Sequence, residues 1–182
     1  MLILLSGVPG GGKTTVGDLL AQRHGFRHVD MESCRFELAT RAVDDVESFL
    51  ADLDGSHNVA ISWGFGPFAA VDAVRRIVRA GYVPFWFDGD RAQFFASFIR
   101  REQLSGKPPR AVQAMELTYY LQMASIVQTG IKDAIDWIHI NPFNGDGTYR
   151  LDLDEEIVRL ATELWLPSCA DGPSIAMTEY TL

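Results

Sequence analysis

Two observations predict a three-layer α/β/α fold around a five-stranded parallel sheet. Five apolar, strand-like runs alternate with longer segments of helical period, the pattern of a parallel α/β sheet. Those runs also lack in/out alternation, as expected when helices cover both faces of a sheet. The first run, LILLS at 2–6, leads straight into a glycine-rich loop and then a helix. The others are FRHVDM at 26–31, NVAISW at 58–63, YVPFWF at 82–87 and DWIHI at 136–140.

Helices are predicted over 14–24, 34–53, 67–80, 91–103, 111–133 and 154–165. In the fifth, Val112, Met115, Tyr119, Met123, Ile126 and Val127 fall at helical spacing and mark a core-facing stripe. The last is announced by DLDE, where Asp152 can cap and Glu155 complete a capping box, and Pro167 follows its end. SGKPPR at 105–110 cannot continue a helix and reads as a lid within about residues 100–111. One domain over 1–166 is expected, followed by a tail, 167–182, without periodicity.

Bulk composition narrows the partners. The 182 residues suffice for one well-buried core, and 47% hydrophobic with 22% charged residues is the composition of an ordinary soluble domain. A formal net charge of -8 argues against duplex nucleic acid or anionic membrane surfaces, which select basic faces. Cys34 and Cys169 form no metal-binding cluster and suit a reducing compartment. MLILL is too short for a signal segment, and no apolar run approaches the roughly 20 residues that span a bilayer. A cytoplasmic monomer or homodimer is expected.

Gly7 to Thr14, GVPGGGKT, matches GxxxxGK[ST] between a strand and a helix, the context this phosphate-binding motif requires. Gly7, Gly10, Gly11 and Gly12 let successive N–H groups turn inward around phosphate oxygens, and the helix adds its positive end. Lys13 would neutralise the β- and γ-phosphates, Thr14 would ligate Mg²⁺, and Thr15 would line the α-phosphate. ATP or GTP with Mg²⁺ is the expected ligand.

The loop alone fits switches, motors and kinases, so the choice rests on other segments. The second strand ends in VDMESCR, placing Asp30, Glu32 and Arg35 at the carboxyl edge, where ligands bind in open α/β sheets. One acid there can accept a hydroxyl proton or hold a magnesium-bound water, while the arginine fixes an anionic acceptor. The acids can equally cap the next helix.

With these residues the sequence resembles the small P-loop phosphotransferases that include shikimate, gluconate, adenylylsulfate and adenylate kinases. DMESCR is similar to the D-x-D-x-x-R stretch of adenylylsulfate kinase and its relatives, with Glu32 in place of the second Asp. The resemblance implies sheet order 2-3-1-4-5, ATP as donor, Glu32 as base, Asp30 as a magnesium or substrate contact and Arg35 as an acceptor contact. SWGFGPF resembles the glycine-rich turn of shikimate kinases, so that Ser62, Gly64 and Gly66 would line the acceptor pocket. Nucleoside monophosphate kinases usually carry an acid near this strand end, where Ser62 is the nearest match.

YVPFWFDGD also resembles a strand ending in a magnesium-binding Asp88, although DGDR at this place suits helix capping by Asp88 or Asp90. The lid segment RREQLSGKPPR gathers Arg100, Arg101, Lys107 and Arg110 out of 16 Lys and Arg. Positive charge there would neutralise the transferring phosphoryl group and exclude water. Arg101 and Arg110 are the catalytic candidates and Arg100 a nucleotide contact. The function expected is ATP- and Mg²⁺-dependent phosphoryl transfer to a hydroxyl or phosphate of a small molecule. A polynucleotide 5′-hydroxyl kinase and a nucleotide-binding switch are the alternatives.

Overall fold

A computed structural model describes residues 1–33, 37–53, 55, 57–64, 71–104 and 112–170, with the side chains of 112 and 165–170 outside that description. In chain order the elements are β1 (Leu2–Gly7), α1 (Lys13–His24), β2 (Arg27–Asp30), α2 (Glu37–Asp44), α3 (Val46–Ala51), β3 (Val59–Ser62), α4 (Val71–Arg79), β4 (Val83–Phe87), α5 (Arg91–Leu104), α6 (Val112–Thr129), β5 (Ile138–Ile140) and α7 (Leu153–Ala170). All five strands lie in one parallel sheet of order β2-β3-β1-β4-β5, as the sequence predicts. Among the described residues no helix is long and apolar enough to cross a membrane.

The central strand is the most deeply enclosed. Ile3, Leu4 and Leu5 of β1 are fully buried, flanked by buried Val59 to Ser62 of β3 and Phe85 to Phe87 of β4. Burial on both faces explains why these segments read as continuous apolar runs. Register pairs Asp30 with Ser62 and Gly7 with Phe87, so the strands deliver their last residues to one edge.

Five expectations need correction. The helix predicted over 34–53 is broken, because Asp45 leaves helical geometry and its carboxylate accepts from the Ser48 N–H at 3.1 Å, capping α3. The helix α6 stops at Thr129 before Gly130, and Val127, predicted to face the core, is 75% exposed. Its stripe follows Met115, Tyr119, Met123 and Ile126, and Val127 lies about 100° round the helix from Ile126. At α7 the Asp152 carboxylate, expected to cap the helix, is instead taken by Arg150 at 3.3 and 3.2 Å. This helix also runs through Pro167 to Ala170, past the predicted end; proline's fixed φ is compatible with helical backbone, although its ring removes one donor and crowds the carbonyl four residues back.

One polar contact ties the first helix to the last. Asp154 is fully buried and accepts from Arg23 Nη1 at 3.3 Å, with His24 Nε2 at 3.0 Å from its other oxygen. Arg23 remains half exposed, so its loss of a partner costs less than that of a fully buried charge. Asp154→Ala is expected to destabilise the protein by about 2–3 kcal/mol, read as a lower denaturant midpoint at unchanged slope.

Candidate active site

The loop between β1 and α1 is wedged against β4 and α5. Val8 N–H donates to the Phe87 carbonyl at 3.0 Å, and a Cβ on Gly7 would sit 2.3 Å from that same oxygen. With φ at +128°, no side chain fits at Gly7. The loop ends at Gly12, which precedes α1 without a side-chain cap, and the first turn holds no acid. The N–H groups and positive end of α1 are thus left to an anionic ligand, with Thr14 and Thr15 exposed beside them.

Lys13 opens α1 and folds back over the loop. Its ammonium donates to the Gly7 carbonyl at 3.1 Å and the Val8 carbonyl at 3.2 Å. Burial lowers its pKa to about 8; Glu32 and Asp30 oppose that shift, while Arg101 reinforces it. A lysine made acidic by desolvation gains most from a phosphate placed beside it.

Asp30, at the end of β2, accepts from the Glu32 N–H at 3.0 Å, and Thr14 Oγ1 donates to its other oxygen at 3.5 Å. Glu32 reaches across to the segment that follows β3, where a Cβ on Gly64 would lie 2.0 Å from its Oε1. The absent side chain at 64 is therefore the space that the carboxylate occupies. Ser62 is buried and its Oγ lies 2.9 Å from His28 Nε2.

The two acids after β4 have separate tasks. Asp90 caps α5, accepting from the N–H groups of Ala92 at 2.8 Å and Gln93 at 3.0 Å. Asp88 is ion-paired with Lys132 and accepts from the Gly89 N–H at 3.0 Å. Burial alone would raise its pKa, but these partners hold it below the usual carboxylate range.

The two arginines at the end of α5 diverge. Arg101 stacks over Phe98 at 5.1 Å, pairs with Glu102 at 3.3 Å and lies close enough to Lys13 to depress its pKa. Arg100 lines a cleft of about 1040 Å³ with Gly12, Thr15, Gln93, Phe143 and Thr148. Arg35, Gly66, Lys107 and Arg110 lie outside the described residues.

Sequence reasoning missed the loop that forms the far wall of this cleft. Phe143 and Tyr149 pair across a turn closed by the Asn144 N–H to Thr148 carbonyl bond at 2.8 Å. Tyr149 then donates to the Gly12 carbonyl at 3.3 Å, and burial raises its hydroxyl pKa. The signal was present as NGDG between two aromatic residues, a hairpin pattern, but nothing in it points to the phosphate loop.

A phosphate loop with its lysine, a hydroxyl–carboxylate pair and a second acid two residues beyond that carboxylate are the arrangement expected of a P-loop phosphotransferase. The chain is 30% identical over 148 residues to a shikimate kinase of Symbiobacterium thermophilum, a match covering 69% of this chain and 84% of that relative. It is also 34% identical over 99 residues to a shikimate kinase of Persephonella marina, covering 47% of this chain and 60% of that relative. The chain belongs to the small P-loop kinase family that contains the shikimate kinases, a family of ATP-dependent phosphotransferases, and is a P-loop kinase.

Solved structures share the fold. Shikimate kinase from Acinetobacter baumannii, in complex with shikimate, aligns with a TM-score of 0.56 at 18% identity, over 90% of this chain and 94% of that one. A gluconokinase from Sinorhizobium meliloti 1021 aligns at 0.54 and 16% identity, over 92% and 97%. No family model matches the chain.

Proposed function

We propose that the chain transfers the γ-phosphoryl group of ATP to a hydroxyl of a small polyhydroxylated molecule. The observation that carries this reading is the Glu32 carboxylate resting over Gly64, on the β3 side of the loop that holds Lys13. A base just beyond the end of β2, reaching toward Gly64 beside a phosphate cradle, suits an acceptor hydroxyl.

In this reading the N–H groups from Gly7 to Gly12 and the Lys13 ammonium hold the β- and γ-phosphates, with Thr15 at the α-phosphate. The cleft bearing Arg100, Phe143 and Thr148 takes the base and ribose. Thr14 and Asp30 offer hard oxygen donors 3.5 Å apart, which fits Mg²⁺. Among the described residues no group of three or more His, Cys, Asp or Glu could hold a metal alone, so the ion would rely on phosphate and water as well. Bound there, Mg²⁺ would neutralise charge on the phosphates.

The acceptor oxygen attacks the γ-phosphorus in line as its proton passes to Glu32, and the bond to the β-γ bridging oxygen breaks to release ADP. Asp30 is the alternative base, but its oxygens already accept from Thr14 and the Glu32 N–H. Arg101, together with Arg110, stabilises the transferring group, while Arg35, Ser62, Gly64 and Gly66 line the acceptor pocket.

The test is a panel of acceptors assayed for phosphorylated product, with Lys13→Ala as the blank. It should include shikimate and gluconate, because relatives and neighbours are named for them. Transfer to a small hydroxy acid above the ATPase background supports the reading. Transfer only to a 5′-hydroxyl oligonucleotide, or no transfer to any acceptor, would overturn it.

A further inference from the structure

Beneath the acid edge, three polar side chains from three elements form an unbroken line. Asp18 Oδ1 on α1 lies 2.9 Å from His28 Nδ1 on β2, and His28 Nε2 lies 2.9 Å from Ser62 Oγ on β3. The line runs inward from solvent: the Asp18 side chain is 57% exposed, that of His28 only 9%, and Ser62 as a whole 2%. Space for the imidazole exists because residue 17 is glycine, where a Cβ would lie 2.2 Å from Nε2.

In the tautomer with its hydrogen on Nδ1, His28 donates to the Asp18 carboxylate and Nε2 becomes an acceptor. The Ser62 hydroxyl must then give its hydrogen to His28, leaving lone pairs on its oxygen. Ser62 is the register partner of Asp30, and partners across a parallel pair project to the same face. Thr14 and Asp18 both belong to α1, the helix that reaches Asp30 and His28. A serine with this order is too buried to serve as a nucleophile, but it offers an acceptor on the same face of the sheet as Asp30, its register partner.

We propose that Asp18 and His28 are positioning residues that hold the Ser62 hydroxyl as a hydrogen-bond acceptor for a water carried by the divalent cation at Thr14 and Asp30. This inference rests on the reading that a cation binds there during phosphoryl transfer. It assigns work to two residues, Asp18 and His28, that touch neither nucleotide nor acceptor. Partners of this kind alter metal affinity by roughly 10- to 100-fold when removed.

Two measurements on the full chain test it: the Mg²⁺ concentration giving half-maximal turnover, and calorimetric ATP affinity with and without Mg²⁺. Ser62→Ala and His28→Phe are expected to raise the half-maximal Mg²⁺ about tenfold. His28→Phe should leave kcat at saturating Mg²⁺ within about threefold, and both should leave ATP affinity without Mg²⁺ unchanged, since neither residue cradles phosphate. His28→Gln, whose amide oxygen can still accept from Ser62, should recover most of the loss, and Ser62→Ala with His28→Phe should be no worse than either alone.

Unchanged Mg²⁺ dependence in a folded Ser62→Ala, or an equal loss with and without Mg²⁺, overturns the proposal. If His28→Phe does not fold, Asp18→Ala on the surface replaces it, and an unaltered Mg²⁺ dependence there is equally fatal. Calorimetry separates the two readings. Mg²⁺-linked ATP binding without any phosphorylated product would sink the acceptor assignment alone, whereas a Mg²⁺ link lost in Thr14→Val but intact in Ser62→Ala would sink this one alone.

Discussion

Lys13→Met is expected to lower phosphoryl transfer on the order of 10³-fold while leaving the fold intact, since removing a single preorganised charge donor at a transition state costs 10²- to 10³-fold or more. Among the described residues the ammonium hydrogen-bonds only to the Gly7 and Val8 carbonyls of its own loop, at 3.1 and 3.2 Å, and a methionine keeps its length. Melting temperature should therefore move little without nucleotide, but the rise produced by saturating ATP should shrink. A variant that loses activity only by unfolding would refute this assignment of Lys13.

The same lysine sets a pH dependence. Its pKa in the free protein is lowered to about 8, with burial the leading cause, and a bound polyphosphate would raise it again. Below pH 8 the ammonium is already charged in both states, so affinity is flat. Above pH 8 binding must take up a proton, and affinity falls by up to about tenfold per pH unit until the bound-state pKa is reached. Calorimetry at pH 7 and pH 9 should show this loss in the wild type and none of it in Lys13→Met.

What the sequence made legible divides along physical lines. The phosphate loop was readable because its chemistry needs contiguous residues, and the strands because burial on both faces leaves an apolar signature. The β2-β3-β1-β4-β5 order came through the family resemblance, since periodicity does not say which strands are neighbours. The break at Asp45 was lost because apolar spacing continues across it while the capping bond is a choice made by one side chain. His28 escaped attention because its partners, Asp18 and Ser62, are brought to it only by folding. Tyr149 was missed likewise, being 137 positions from the Gly12 carbonyl that it meets.

Gly64→Ala offers the strongest separation between the two acids of the site. The added Cβ would stand 2.0 Å from Glu32 Oε1, and the nearest atoms are all the exposed end of a flexible side chain, so the carboxylate must swing away while the fold bears little cost. If Glu32 is the base, kcat should fall by about 10²- to 10³-fold, comparable to Glu32→Gln, because general-base catalysis contributes on that scale and depends on placement. ATP affinity should stay within a few-fold of wild type in both, as neither residue cradles phosphate. The double variant should be no slower than Glu32→Gln alone, since displacing a carboxylate that is already gone removes nothing further. If Asp30 is the base instead, Gly64→Ala should keep nearly full kcat, with Asp30 still held by Thr14 and the Glu32 N–H on the far side of the strand end.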